Sequence, residues 1–153
     1  MDNGYNPMQW DCATQGCFNR KKRPKIEIFA DCLPGKIAFS DVDAIVEIGG
    51  NFLMIEWKSH GDVPRGQRIL FQRLTQFAPV TVFIVEGDAE TMEVDSIRFV
   101  SEGKMEDPFQ ADQTKLRELI TQWNHWAGDH PVTHQGRITH HTKQMTPAKE
   151  VTI

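Results

Sequence analysis

Residues 40–59, SDVDAIVEIGGNFLMIEWKS, decide the fold of this chain because their pattern is that of a β-hairpin. Residues 42–48 are rich in β-branched side chains, and residues 52–57 are again apolar. The tripeptide GGN at 49–51 separates the two runs, and these residue types adopt positive φ at low cost. The stretch therefore predicts two antiparallel strands joined by a tight turn.

Three charged side chains, Asp43, Glu56 and Lys58, interrupt the apolar pattern of this hairpin. A two-residue turn at 50–51 would place Asp43 opposite Lys58. A turn at 49–50 would instead place Asp43 opposite Glu56. Both registers put the three charges on one face with Cβ atoms about 5 to 8 Å apart, since paired residues and residues two apart share a face. A three-residue loop without a bulge would send Asp43 to the other face.

This set of charges suggests metal-assisted chemistry, because carboxylates and an ammonium on half-buried strands are costly without a role. Asp43 and Glu56 offer hard oxygen ligands for Mg²⁺ or Mn²⁺, with the backbone carbonyl of Trp57 as a further ligand. A bound cation would lower the pKa of a water molecule and neutralise charge on a phosphate oxygen. Lys58 would orient that water or stabilise the transition state. The alternative is a salt-bridged polar face of an ordinary hairpin.

The pattern Asp-x(12)-Glu-Trp-Lys on a hairpin resembles the PD-(D/E)XK nuclease superfamily, and residues 40–59 look especially like its small phage and prophage members. The resemblance covers roughly residues 36–85. It implies a restriction-endonuclease-like core and metal-dependent hydrolysis of phosphodiester bonds. The sequence lacks the proline that precedes the aspartate in the family, so either Asp41 or Asp43 is the first ligand. We favour Asp43 because it leads directly into the strand AIVEI.

The resemblance also implies roles for residues outside the hairpin. Some relatives carry an additional acidic ligand on the first helix, where Glu27 stands here. In several branches a glutamine near the start of the helix after the hairpin faces the catalytic pocket, and Gln67 matches that position. Arg65 and Arg68 of the same helix are candidate phosphate contacts, and an ordinary solvated helix face is an equal alternative.

The densest positive run of the chain is Arg20, Lys21, Lys22 and Arg23. Such a run is a natural contact for nucleic-acid phosphates, with a solvated loop as the alternative. The formal net charge of the chain is −4, but the distribution of charge decides binding more than its sum. The run is therefore a predicted contact with DNA.

Hydrophobic periodicity predicts an α/β domain with a central mixed sheet of about four or five strands flanked by helices. Residues 1–127 are expected to form one domain, and residues 128–153, which lack a hydrophobic period, a disordered tail. The predicted strands are 36–40, 42–48, 52–57, 80–85 and 94–100, and a loop covers 103–108. The predicted helices are 25–33, 66–77 and 113–126. The second of these helices carries an apolar stripe of Ile69, Leu70, Leu74 and Phe77.

The three cysteines, Cys12, Cys17 and Cys32, are expected to be buried free thiols, and a zinc site with His60 as the nearest fourth ligand is the less favoured alternative. His60 itself is expected to be an exposed loop residue, although it lies near enough in sequence to contact a phosphate. The chain has no run of eighteen apolar residues and no signal-peptide pattern, which predicts a cytoplasmic protein without membrane partners. No organic cofactor is expected.

The sequence thus predicts a nuclease dependent on Mg²⁺ or Mn²⁺ that cuts DNA according to its structure or its ends, since nothing suggests base recognition. Two copies acting on two strands would suit so small a chain, although no feature requires a homodimer. The alternative is a non-catalytic phage accessory protein. Such a protein would bind DNA or inhibit a host defence protein through its acidic face.

Overall fold

A computed structural model describes residues 24–60 and 62–133, which belong to two compact units that divide between residues 41 and 42. In the first unit, Ile26–Cys32 forms a 3₁₀ helix where a longer helix was predicted. It ends at Leu33, which is extended because a proline follows it. The predicted strand at 36–40 does not form. The predictions for Cys12, Cys17 and the basic run fall outside the described residues. Cys32 is a free thiol, but it is exposed rather than buried.

The second unit is an α/β structure built on one mixed sheet. Its elements are β1 (Ala44–Ile48), β2 (Asn51–Lys58), α1 (Arg65–Phe77), β3 (Val80–Gly87), β4 (Val94–Ser101), β5 (Lys104–Met105), β6 (Phe109–Gln110) and α2 (Gln113–Asp129). The sheet order is β1-β2-β3-β4-β5, with β6 also paired to β4. β2 and β3 are parallel, and the other pairs are antiparallel. This confirms the predicted α/β class and mixed sheet.

The sheet has six strands in the part of the chain that the structure describes, rather than four or five. β5 and β6 contain two residues each, and β5 lies in the predicted loop at 103–108. Two residues are too short to show an alternating pattern in the sequence. No helix within the described ranges is long and apolar enough to cross a bilayer.

The hairpin turn is formed by Gly49 and Gly50, whose φ angles are 59° and 87°. Positive φ at both central positions is the requirement of a tight turn that matches strand twist, and glycine meets it at low cost. Ile48 pairs with Asn51, so the hairpin adopts the second of the two predicted registers. The Gly50 amide also donates to Oε2 of Glu47 at 2.7 Å.

The sheet is covered on both faces, so β2 and β3 are buried on both sides as predicted for β3. One face packs against α1 through a cluster of Met54, Val63, Phe71, Val80, Val82, Ile84 and Val100. The other packs against α2 through a cluster of Leu53, Phe83, Val85, Val94, Ile97, Leu116, Trp123 and Ala127. Trp123 therefore packs in the core, while Trp126 is 48% exposed and stacks on His130.

The orientation of α1 differs from the predicted apolar stripe. Phe71 and Thr75 are its buried residues, whereas Phe77 of the predicted stripe is 80% exposed. Gln67 lies four residues before Phe71 and so shares the face that packs on the sheet. The inward face of α1 therefore carries Gln67 toward the strands.

Helix α2 continues to Asp129, past the predicted domain boundary at residue 127. The chain after it lies against the hairpin turn. The Val132 amide donates to the Gly49 carbonyl at 2.8 Å, and the Asn51 side-chain amide donates to the His130 carbonyl at 2.8 Å. The predicted disorder of residues 134–153 falls outside the described residues.

We expect Gly87→Ala to destabilise the protein by about 3 kcal/mol, because the added methyl group has no room. A Cβ at Gly87 would lie 2.1 Å from the Glu93 carbonyl oxygen and 3.1 Å from Cζ2 of Trp57. The strand shifts register at this point, so a backbone movement would be needed. Urea denaturation measures the loss. Gly66→Ala is the matched control, because its Cβ would meet no atom within 4 Å and alanine favours a helix. Equal stability of the two variants would contradict the close approach.

Candidate active site

Glu56, Lys58 and Gln67 form a closed set of contacts on the α1 side of the sheet. Nζ of Lys58 lies 3.0 Å from Oε1 of Glu56 and donates a 2.5 Å hydrogen bond to Oε1 of Gln67. Nε2 of Gln67 donates to the same Glu56 oxygen at 3.0 Å. We call these three side chains the Glu-Lys-Gln cluster. The structure thus brings together three of the four residues that were predicted to be catalytic.

Strand alternation and helix periodicity both position the cluster. Every second residue of β2 points to the face that α1 covers, and these residues include Met54, Glu56 and Lys58. On α1, Gln67 lies one helical turn before the core residue Phe71. The Glu56 side chain is 8% exposed and that of Lys58 is 19% exposed. Burial of a lone carboxylate would cost several kcal/mol, and the ammonium and amide contacts of Glu56 offset that cost.

Asp43, the fourth predicted catalytic residue, precedes β1 and caps a backbone group of β2. Its Oδ2 accepts a hydrogen bond from the Trp57 amide at 2.7 Å. The register of β1 and β2, continued by one residue, places Asp43 opposite Glu56. The N–H and C=O groups of a strand residue face the same neighbouring strand, so the Trp57 carbonyl also faces the edge where Asp43 lies.

The donor atoms fit a hard divalent cation, although they are few. Within residues 24–60 and 62–133, no group of three or more His, Cys, Asp or Glu side chains is placed to hold a metal ion. Two carboxylates and a carbonyl would nevertheless suit Mg²⁺, which is commonly held by one or two carboxylates together with water and substrate phosphates. Both cluster contacts of Glu56 go to Oε1, and Asp43 uses Oδ2, so each carboxylate has a second oxygen for a ligand.

Glu27 and Asp41, the other predicted ligands, belong to the first unit, and their roles stay predictions. The predicted phosphate contacts Arg65 and Arg68 lie on α1, two residues before and one residue after Gln67. Side chains at such spacings do not share a helix face, and no hydrogen bond among the described residues joins either arginine to the cluster. His60 is exposed in the bend that follows β2.

A cleft of about 320 Å³ continues from Lys58 across β3 to β4, and most of its residues were missed by the sequence analysis. We call it the β4 cleft. Its lining comprises Lys58, Asp62, Val63, Ile84, Glu86, Ser96, Arg98 and Pro108. The register explains the set: Lys58, Glu86 and Ser96 form one row across the sheet. Glu56, Ile84 and Arg98 form the next row. The sequence indicated a strand at 94–100, but not which strand would lie beside it.

The site therefore offers two carboxylates, a half-buried ammonium and an amide beside an open cleft. Such a set can hold a cation and place a positive donor next to it, which is the requirement for attack of water on a phosphate ester. No family model matches the chain, and no match exists among the curated proteins or the solved structures compared with it. The function must therefore be argued from the site itself.

Proposed function

We propose that this protein is a divalent-metal-dependent nuclease of the PD-(D/E)XK type that hydrolyses phosphodiester bonds in DNA. The observation that carries the proposal is the Glu-Lys-Gln cluster. Its Glu56 and Lys58 lie on β2, the strand whose Trp57 amide donates to Asp43. An ordinary surface salt bridge would not need burial of the carboxylate or a glutamine bridging both charges.

Each residue then has a distinct task. Asp43, Glu56 and the Trp57 carbonyl would hold Mg²⁺ or Mn²⁺, which supplies a water of lowered pKa and neutralises charge on the phosphate. Lys58 would donate a hydrogen bond to the attacking water or to the phosphate oxygens as their negative charge increases. Gln67 holds the ammonium and the Glu56 carboxylate in fixed relative positions through its two ends.

A restriction-endonuclease-like core is part of this proposal. Its support is the chain order: an antiparallel hairpin carries the charged residues, a helix supplies Gln67, and the next strand runs parallel to β2. A helix between two parallel neighbouring strands is a crossover unit, and the carboxyl ends of such strands are frequent ligand-binding positions. The β4 cleft opens beside these ends.

The substrate that we propose is DNA cut by structure or at ends, with Arg20, Lys21, Lys22 and Arg23 as backbone contacts. Arg65, which is exposed, and Arg68, which is half-buried, would add further contacts from α1. Nothing in the described residues suggests an element for reading base edges, and phosphate contacts alone carry no sequence information. Such an enzyme would act in the cytoplasm, that of the host if a phage encodes it, and a homodimer would allow both strands to be cut.

The test is cleavage of linear duplex, single-stranded, flapped, nicked circular and four-way-junction DNA by the wild-type protein. Each substrate is incubated with Mg²⁺, with Mn²⁺ and with EDTA. We expect cleavage that requires the metal, and the preferred substrate defines the specificity. A protein that cuts none of these in either metal contradicts the proposal. DNA binding that is indifferent to EDTA and to loss of Lys58 would instead fit the non-catalytic binding protein.

A further inference from the structure

Arg98 is a half-buried cation without a carboxylate partner among the described residues. It lies in β4 and lines the β4 cleft. Its guanidinium has one contact within residues 24–60 and 62–133, from Nη1 to the Sδ atom of Met105 at 3.5 Å. A thioether sulfur is a weak acceptor, whereas a guanidinium carries five N–H donors. Most of the hydrogen-bonding capacity of this group is therefore directed to whatever enters the cleft.

The sheet register places Arg98 beside the candidate active site. Glu56 pairs with Ile84 on β3, and Ile84 pairs with Arg98 on β4. The Cα atoms of Glu56 and Arg98 are thus two interstrand spacings apart, or about 10 Å. Both side chains lie on the same face, because paired residues share a face. A ligand held by Arg98 would lie next to the cluster without displacing Lys58 from Glu56.

We infer that the β4 cleft binds a phosphodiester group of the nucleic-acid strand through Arg98, assisted by the Ser96 hydroxyl. A planar guanidinium matches two phosphate oxygens at once, which makes it the preferred side chain for phosphate recognition. This inference rests on the proposed function, since it assigns the bound strand a position relative to the cluster. Arg98 belongs neither to the Asp-x(12)-Glu-Trp-Lys motif nor to the basic run, so the inference adds a phosphate contact that the sequence did not indicate.

Two carboxylates in the cleft oppose the charge of its two cations, Lys58 and Arg98. Glu86 is half-buried in the row of Lys58 and Ser96, and Asp62 is exposed. Like charges repel more strongly as the charge on the ligand rises. A diester carries one negative charge, whereas a terminal phosphate or free phosphate carries nearly two at neutral pH. The attraction to Arg98 rises with ligand charge as well, so the carboxylates offset the advantage that a dianion would otherwise have over an internal phosphodiester.

The first experiment measures binding of a short duplex in EDTA, so that no cleavage occurs, over a series of salt concentrations. The variants are Arg98→Ala, Arg98→Lys and the control Arg117→Ala, an exposed arginine on α2 at the other face of the sheet. We expect Arg98→Ala to weaken binding about tenfold. The slope of log affinity against log salt should become shallower by about 0.9. Arg98→Lys should keep the slope but lose affinity, and Arg117→Ala should change neither.

The second experiment is made on the wild-type protein and needs a variant only to assign one resonance. The Nε–H resonance of Arg98, assigned by its absence in Arg98→Lys, is followed by NMR during addition of a dinucleoside monophosphate or inorganic phosphate. We expect the resonance to move with the diester at least as far as with free phosphate. The inference is overturned if the resonance does not move. It is also overturned if Arg98→Ala binds the duplex with the same affinity and the same salt slope as Arg117→Ala.

The two proposals fail in different ways. Metal-dependent cleavage by the wild type that is lost in Lys58→Ala would leave the proposed nuclease intact even if Arg98 proved irrelevant. Absence of cleavage together with a responding Arg98 resonance would leave the phosphate site intact and remove the nuclease. In the cleaving protein, Arg98→Ala should raise KM more than it lowers kcat, because it removes a binding contact outside the reacting group.

Discussion

Lys58→Ala should reduce metal-dependent DNA cleavage about a thousandfold while DNA binding in EDTA changes little. The Lys58 ammonium is held by Glu56 and Gln67, and the side chain is 19% exposed, so the position of the ammonium is fixed before substrate arrives. A preorganised donor that stabilises charge in the transition state typically contributes a factor of about a hundred to a thousand. Single-turnover cleavage of the preferred substrate in Mg²⁺ measures the loss, and anisotropy in EDTA measures binding.

Stability must be followed in the same variant, because removal of Lys58 leaves Glu56 buried without its cation. We expect the free energy of unfolding to fall by about 3 kcal/mol, the usual cost of breaking a buried pair from one side. Lys115→Ala is the matched control: its ammonium pairs with Glu118 at 3.4 Å, and both side chains are largely exposed. It should change neither cleavage nor stability. Cleavage by folded Lys58→Ala at the wild-type rate would exclude Lys58 from the chemistry.

The hairpin could be predicted from the sequence because its determinants are local. Two glycines supply the positive φ values of the turn, and the apolar runs on both sides fix the strands. The sequence left two registers open, and the structure selects the turn at 49–50. Asp43, Glu56 and Lys58 were assigned to one face in either register, so this uncertainty did not affect the candidate site.

The inward face of α1 could not be chosen from the sequence in the same way. Leu70, Phe71 and Leu74 allow more than one apolar stripe, and the stripe through Phe77 was the wrong choice. The packed sheet buries Phe71, and the same rotation brings Gln67 to Lys58. The orientation of a helix thus depends on the surface that it covers, which a single-helix pattern does not contain.

The β4 cleft was missed because it depends on pairing between distant parts of the chain. The predicted strand ended at residue 85, whereas β3 continues through Glu86 to Gly87 and pairs Glu86 with Lys58. Arg98 joins the row of Glu56 only through the antiparallel register of β3 and β4. Register between separate strands is set by packing and turn geometry together, and no local motif encodes it.

Asp43→Asn should abolish metal-dependent cleavage, by about a thousandfold or more, without unfolding the protein. The carbonyl oxygen of asparagine can still accept the hydrogen bond that the Trp57 amide donates to Asp43 at 2.7 Å, so the end of β2 stays capped. The substitution removes the negative charge that a divalent cation requires from its ligand. Wild-type protein should melt at a higher temperature in Mn²⁺, because a ligand that binds only the folded state stabilises it. Asp43→Asn should lose that increase while keeping its melting temperature in EDTA.

Asp41→Asn is the decisive comparison, because the motif left Asp41 and Asp43 as alternative first ligands. Both substitutions remove one carboxylate from the same short segment, so they change the net charge and local composition equally. If Asp43 is the ligand, Asp41→Asn should keep both cleavage and the Mn²⁺-dependent increase in melting temperature. The reverse outcome would make Asp41 the ligand and reduce the contact between Asp43 and Trp57 to a structural cap. Loss of cleavage in both variants, with the Mn²⁺ effect lost only in Asp43→Asn, would make Asp43 the metal ligand and place Asp41 on the substrate.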